Sequence, residues 1–247
     1  MLRRIRADLH VHTCLSPCGD LRMSPRKIAE QVSKRKIGIL GICDHNSAEN
    51  VRAVVKTAGD RDVTVLPGLE ICTREEIHVL ALFEHISQAF ALQSTVYDHL
   101  AGKNDPDVFG LQVVADDNDE VLALEERLLI GAVDLPVDEV VREIHRLGGA
   151  AIAAHIDRES FSVISQLGFI PPGLGFDALE LSSHITQDGA RERFARYADC
   201  TFVRNSDAHF PDDIGTNTCE YLLEKPTFDE MVKAFRRAGG RMVCEGA

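Results

Sequence analysis

The sequence predicts an α/β fold built on a largely parallel sheet, open or closed into a barrel. Short β-rich runs alternate with amphipathic helical stretches along most of the 247 residues, the rhythm of a parallel sheet with helical crossovers. Several of those runs are apolar at nearly every position, as strands buried on both faces are. The length suits one large domain, and a 45% hydrophobic content is enough for a sizeable core.

Ala7 to His12 reads as the first strand. Ser24-Pro25 opens a helix, Ser as N-cap and Pro in the first turn. That helix runs to about Lys36, with Ile28, Ala29 and Val32 on one face. Ile37 to Cys43 is a nearly unbroken apolar strand, and Asn46 is expected to cap the next helix. Val63 to Leu69 and Ile77 to Phe83 are further strands. Pro136 to Leu147 is a helix stopped by Gly148-Gly149. Ala150 to Ala154, Ala178 to Leu181 and Thr201 to Val203 continue the strand series. Phe228 to Ala238 is a closing helix. Residues 88–134 break the rhythm and read as an excursion from a single domain. Leu111 to Ala115 and Val121 to Ile130 flank the turn Asp116-Asp117-Asn118-Asp119 and suggest a β-hairpin, although the second arm's spacing also suits a helix. The acidic turn lacks the spacing and glycine of an EF-hand loop and reads as a solvated turn.

The formal net charge is −12. Such a charge repels phosphate backbones and argues against stable duplex nucleic-acid binding, while leaving room for a nucleotide held through metals. Seven cysteines, an odd number, and the lack of an apolar run at the N-terminus suggest free thiols in a reducing cytoplasm. No stretch is long and apolar enough to span a membrane. Oligomeric state is left open.

The chemistry gathers where strands end. In Asp8-Leu9-His10-Val11-His12, residues two apart point the same way on a strand, so two imidazoles stand side by side with Asp8 on their face. Asp44-His45 closes the second strand, Glu70 follows Pro67-Gly68-Leu69, and His78 opens the run Val79 to Leu82. His155 ends the strand from Ala150, and Ser206-Asp207-Ala208-His209 follows Phe202-Val203. Functional side chains on parallel α/β folds collect at the carboxyl ends of strands. One metal site explains all these positions together, and mixed imidazole and carboxylate donors suit Zn²⁺, Mn²⁺ or Fe²⁺. His85, His99 and His145 fall in or near helices and read as surface or packing residues. His184 follows a strand and is placed to face a substrate.

These motifs resemble the PHP family, named for polymerase and histidinol phosphatase. Asp8-Leu9-His10-Val11-His12-Thr13 is similar to its first motif, Cys43-Asp44-His45-Asn46 to its second, His155 to its third and Ser206-Asp207-Ala208-His209 to its fourth. The resemblance spans nearly the whole chain and implies a distorted (β/α)₇ barrel with two or three divalent metal ions. By this resemblance His10, His12, Glu70 and Asp207 hold one ion. Glu70 bridges to a second, held also by His78 and His155. His45 and His209 hold a third with a ligand from the loop after His12. Counting along that loop favours Cys18. The hardness of a carboxylate favours Asp20, which is the residue expected here. The chain departs from the family where Ile156-Asp157-Arg158, rather than proline, follows His155.

The expected activity is hydrolysis of a phosphate ester, small-molecule or nucleotide, by hydroxide that the metals make available near neutral pH. Arg158 and Arg74 are candidate phosphate clamps. Asp44 and Asp8 are candidates to orient histidines, and His209 or His184 to protonate the leaving group. Two rivals stand beside this reading. Metal-dependent amide hydrolysis uses the same machinery, and a non-catalytic metal-binding module would tend to have lost ligands, whereas here each strand-end position is filled.

Overall fold

A computed structural model describes residues 1–59 and 61–244. The strands are β1 (Arg3–Val11), β2 (Ile39–Ile42), β3 (Thr64–Cys72), β4 (His78–Leu82), β5 (Val113–Ala115), β6 (Val121–Leu124), β7 (Ala150–Ala153), β8 (Ala178–Leu181), β9 (Phe202–Arg204), β10 (Cys219–Leu223) and β11 (Met242–Cys244). The helices are α1 (Pro25–Arg35), α2 (Val51–Ala58), α3 (Ile86–His99), α4 (Pro106–Phe109), α5 (Val137–Arg146), α6 (Val163–Leu167), α7 (Gln187–Arg193) and α8 (Phe228–Phe235). Among the described residues no helix is long and apolar enough to cross a membrane.

The main sheet runs β11-β10-β1-β2-β3-β4-β7-β8-β9. It curls until the chain after β9 meets β1. There Val11 pairs in parallel with Ala208, and His12 N–H donates to the Ala208 carbonyl at 3.0 Å. The ring is therefore β1, β2, β3, β4, β7, β8 and β9, the distorted (β/α)₇ barrel. Strand β1 serves two partners on one edge: its first half takes β10 antiparallel, Arg3 to Ala7 against Leu223 to Cys219, and its second half closes the ring. The seam is completed by a side chain, since Leu9 N–H donates to Asn205 Oδ1 at 2.8 Å.

The parallel rhythm fails at β4, which is antiparallel to both β3 and β7. A tight turn at 73–77 reverses the chain, so β4 begins at the rim where its neighbours end. His78 therefore opens its strand yet stands with residues that close theirs. Two apolar layers follow from side-chain alternation. Leu80, Leu82, Ile152 and Ala178 fill the barrel. Val79, Ala81, Ala151 and Leu179 face the helices, where Ile28, Val54, Leu92 and Ile144 pack on them.

Strand β1 changes phase partway. Ile5, Ala7 and Leu9 belong to the inner layer and Val11 to the outer, with a register shift against β2 between Asp8 and Val11. Such a bulge re-aims side chains, and it corrects the expectation that Asp8 shares the histidines' face. Asp8 instead accepts from Ser206 N, Ser206 Oγ and Gly215 N at 3.0, 2.6 and 2.8 Å, tying β1 to the loop after β9. Burial raises its carboxyl to about 6 against the pull of those bonds.

Asn46 does not cap a helix. It sits at φ 52°, and its amide donates to the Leu129 and Gly131 carbonyls, each at 2.7 Å. Asn50, directly before α2, is likewise committed elsewhere, donating to Val113 O and accepting from Ala115 N at 2.9 Å each. Both asparagines pin the 111–131 stretch onto the barrel rim. Within it β5 and β6 form a separate antiparallel hairpin, and the second arm is a strand. The acidic turn is satisfied within the protein: Asp116 accepts from Asn118 N and Glu120 N, Asp117 pairs with Lys56, and Asp119 accepts from Ser24 Oγ and Arg26 N at the start of α1.

Replacing Asn205 by Ala leaves the buried Leu9 N–H without its partner and removes one of the donors to Glu180 Oε1, which keeps His10. The expected loss is about 2 to 3 kcal/mol of unfolding free energy, read from urea denaturation. An unchanged midpoint would show that the seam does not depend on this side chain.

Candidate metal centre

At one end of the barrel the inward positions change from apolar to titratable. Their centre is Glu70, 1% exposed, one of whose oxygens lies near each of five imidazoles. His78 Nδ1 is 2.8 Å away, His155 Nε2 3.2 Å and His10 Nε2 3.3 Å, all from Oε1. His45 Nδ1 and His12 Nε2 are 3.1 and 3.4 Å from Oε2. Asp207 faces Glu70 across the first pair, its Oδ1 3.3 Å from His10 Nε2 and 3.2 Å from His12 Nε2. His155 and Asp207 take up left-handed backbone, φ 28° and 50°. Such strain persists only where the surroundings impose it, and it clusters at functional sites.

The tautomers of the first pair are set from behind. His10 Nδ1 lies 3.1 Å from both oxygens of Glu180. An ionised carboxylate only accepts, so the neutral imidazole carries its proton on Nδ1 and offers Nε2 as a lone pair. Ser16 Oγ donates to Asp44 Oδ1 at 2.6 Å and so receives a proton from His12 Nδ1 at 2.9 Å, which again leaves Nε2 bare. The two Nε2 atoms are 3.1 Å apart. Two lone pairs facing each other between two carboxylates repel unless a cation or proton lies among them. Deeper in, the buried Nδ1 atoms of His45 and His155 have no hydrogen-bond partner among the described residues; His45 Nδ1 is close to Glu70 but not aligned for a bond. Bare lone pairs, carboxylate oxygens and orphaned imidazole nitrogens in a buried cluster are the donor set of a divalent metal centre. Among the described residues, three overlapping groups have their donor atoms within 4.8 Å of one another: His10-His12-Glu70, His45-Glu70-His78 and His12-His45-His209.

Electrostatics agree with ligand chemistry at Glu70, His45 and His209. At His10, by contrast, burial is outweighed by the charges of Glu180, Asp207 and Glu70, which raise the imidazole well above its usual value, so that a cation there would displace a proton. Burial pushes the Glu70 carboxyl up, but positive charge on the surrounding imidazoles, His78 and then His10 foremost, outweighs it and holds it well below the usual range. Burial, and then the His12 charge, lower His209 to about 4, and burial holds His45 well below its usual value. Both imidazoles are therefore neutral at pH 7 and able to donate lone pairs.

The structure brings His10, His12, His45, Glu70, His78, His155, Asp207 and His209 together, with Arg158 at the rim, its Nη2 2.7 Å from Asp207 Oδ2. It does not bring Asp20. That carboxylate is paired with Arg22 Nε and Nη2 at 2.9 and 3.0 Å, because the loop turns tightly at Gly19, where a Cβ would fall 2.8 Å from the Thr13 carbonyl. Cys18 stands in its place, with Sγ 3.1 Å from His209 Nε2. Arg74 is also elsewhere, spent on Asp134 at 2.7 Å. His184 is exposed and outside the cluster. Asp44 accepts from Thr13 N and Thr13 Oγ1, both at 2.7 Å, and from Ser16, so it acts on His12 through Ser16 rather than on substrate.

Glu180 was not singled out from the sequence. It is 1% exposed, and besides His10 it accepts from His155 N at 2.9 Å and Asn205 Nδ2 at 2.7 Å. Its signal was present: a carboxylate at the inward parity of the apolar strand Ala178-Leu179-Glu180-Leu181. Glu180→Gln keeps the shape but offers His10 Nδ1 an amide instead of an acceptor-only group. It is expected to weaken divalent-metal affinity about 10- to 100-fold. Calorimetric metal titration measures this, and wild-type affinity would exclude the role.

With this geometry in hand, comparison with known proteins places the family. Residues 8–167 match the PHP domain model, and residues 190–238 match a PHP-associated model. The chain belongs to the PHP domain family. An uncharacterized protein of Methanocaldococcus jannaschii is 33% identical over 101 residues, a match covering 37% of this chain and 59% of that one. The lesion-specific endonuclease PfuEndoQ of Pyrococcus furiosus superposes with a TM-score of 0.77 at 19% identity, covering 98% of this chain and 58% of that one. Endonuclease Q in complex with a 27-mer duplex carrying an abasic lesion at its active site superposes equally well, with the same TM-score, identity and coverage. A putative metal-dependent phosphoesterase of Bifidobacterium adolescentis has a TM-score of 0.60 at 18% identity, covering 94% and 96% of the two chains. This chain thus spans a little under three fifths of the M. jannaschii protein and of the endonucleases. The duplex complex corrects the expectation drawn from net charge. Endonuclease Q, a protein that contains this fold, holds a duplex at its active site, and total charge does not describe the field at one rim.

Proposed function

We propose that the protein is a metal-dependent phosphoesterase. The observation that carries this reading is the pair of inward-facing Nε2 atoms on His10 and His12, 3.1 Å apart between Glu70 and Asp207. His10, His12, Glu70 and Asp207 would hold one ion, and Glu70, His78 and His155 a second. His45, His209 and the Cys18 sulfur would hold a third, in which the thiolate favours zinc or iron over manganese. Bound cations supply Lewis-acid charge at phosphate oxygens and lower the pKa of water.

The chain's own residues do the rest. Glu180 and the Asp44–Ser16 pair keep protons on the far nitrogens of His10 and His12, so the inner nitrogens are preorganised. Arg158 holds Asp207 through one of its five N–H donors and presents a guanidinium at the rim, where it can receive a phosphate oxygen and offset charge that develops in transfer. The apolar layer under the cluster, with Leu80 and Ile152 fully buried, excludes water from below and strengthens every charge interaction above it.

The test is a panel offered to protein loaded with Zn²⁺, Mn²⁺ or Fe²⁺: a phosphomonoester, a phosphodiester, an oligonucleotide duplex with and without an abasic site, and an amide. The expected outcome is turnover of at least one phosphate ester, lost by at least a thousandfold (about 4 kcal/mol of transition-state stabilisation) in a His12→Ala protein that remains folded. Turnover of the amide alone, or undiminished turnover in His12→Ala, would contradict the reading.

A further inference from the structure

The loop from His155 to Ser162 carries a second rim side chain. The Phe161 ring lies along His78, with centroids 4.7 Å apart and planes 24° from parallel. It covers an imidazole that is itself only 7% exposed, yet Phe161 stays 40% exposed. Its backbone lies at φ 57°, unfavourable for a bulky L residue. The conformation is held by its surroundings. The Phe161 carbonyl accepts from His78 N at 2.9 Å, and Ser162 Oγ donates to Arg158 O at 2.8 Å. Asp157 accepts from Ser182 N and Oγ at 2.7 and 2.6 Å.

Any residue can offer His78 its carbonyl, and core packing would bury the ring. Neither accounts for a flat aromatic face held rigidly in water. Arg158 lies three residues earlier on the same loop and stands on Asp207. One short loop therefore presents a phosphate-binding cation and an aromatic plane at the mouth of one site.

We infer that the outer face of Phe161 is a stacking platform for the base of a nucleoside phosphate. This rests on the phosphoesterase reading and deepens it by naming the substrate class. The platform stacks the base while Arg158 receives the phosphate. Stacking on an aromatic side chain tolerates any base, because every base has a π-face.

The test compares adenosine 5′-monophosphate with ribose 5-phosphate, which differ by the base, binding to metal-loaded protein in calorimetry. Wild-type protein is expected to prefer the nucleotide about tenfold, within the range of base–aromatic stacking. Phe161→Leu should remove most of that preference and Phe161→Tyr should keep it. Metal content is read by elemental analysis in each variant. No base-dependent preference in the wild type, or a preference that survives in Phe161→Leu, overturns the platform. Loss of metal from Phe161→Leu also overturns it, since the ring would then serve only to support His78. If no phosphate ester is turned over but the base preference appears and follows Phe161, the phosphoesterase reading fails while the platform stands.

Discussion

One carboxylate governs this molecule. Glu70 is buried at the centre of five imidazoles, and an ionised side chain there costs several kcal/mol unless its charge is met. Its two oxygens offer about four lone-pair sites, fewer than the nitrogens around them, and some of those nitrogens present lone pairs of their own. Hydrogen bonds alone cannot satisfy such a cluster. Its balance calls for protons or cations among the nitrogens, and the surrounding structure holds the donors in the arrangement that a cation would fill. Glu180 and Ser16 fix the outer protons, Asp207 closes the cluster from the opposite side, and Arg158 meets the remaining oxygen of Asp207.

The barrel is distorted in the service of this arrangement. Seven regular parallel strands would put only strand ends at the rim. Reversing β4 puts a strand beginning there as well, which is how His78 reaches Glu70. A bulge in β1 separates Asp8 from the two histidines that follow it, freeing Asp8 to hold the loop that carries Asp207. Left-handed backbone at His155 and Asp207 turns each side chain inward at the moment its strand ends. Each distortion is a local cost, and each is tied down by buried hydrogen bonds to side chains, Asn205 and Asp8 foremost.

The sequence made the fold legible because apolar runs and helix caps repeat along it, and the family motifs then specified the barrel. Its candidate ligand positions stood out because histidine or carboxylate recurs at the end of one apolar strand after another. What escaped is what depends on direction rather than identity. The reversal of β4 leaves no mark in a run such as Val79 to Leu82, which suits either direction. Asn46 has a capping residue's chemistry, but its amide is drawn to the carbonyls of Leu129 and Gly131, distant in sequence. Glu180 was hidden by its apolar neighbours, although its inward parity was readable. The choice between Cys18 and Asp20 turned on hardness of donor, whereas the loop's tight turn at Gly19 decides which one points inward. Net charge does not decide about nucleic acid because it averages a whole surface, while the field at one rim governs what can approach it.

The central claim is that the Glu70 cluster is a site for cations from outside the chain. Chelator-treated protein titrated with Zn²⁺ or Mn²⁺, with heat of binding and unfolding temperature followed together, tests it most directly. Saturable binding of more than one ion per chain, with a rise in Tm that Glu70→Gln removes, is the predicted result. An absence of saturable binding, or binding by Glu70→Gln equal to the wild type's, would contradict the account.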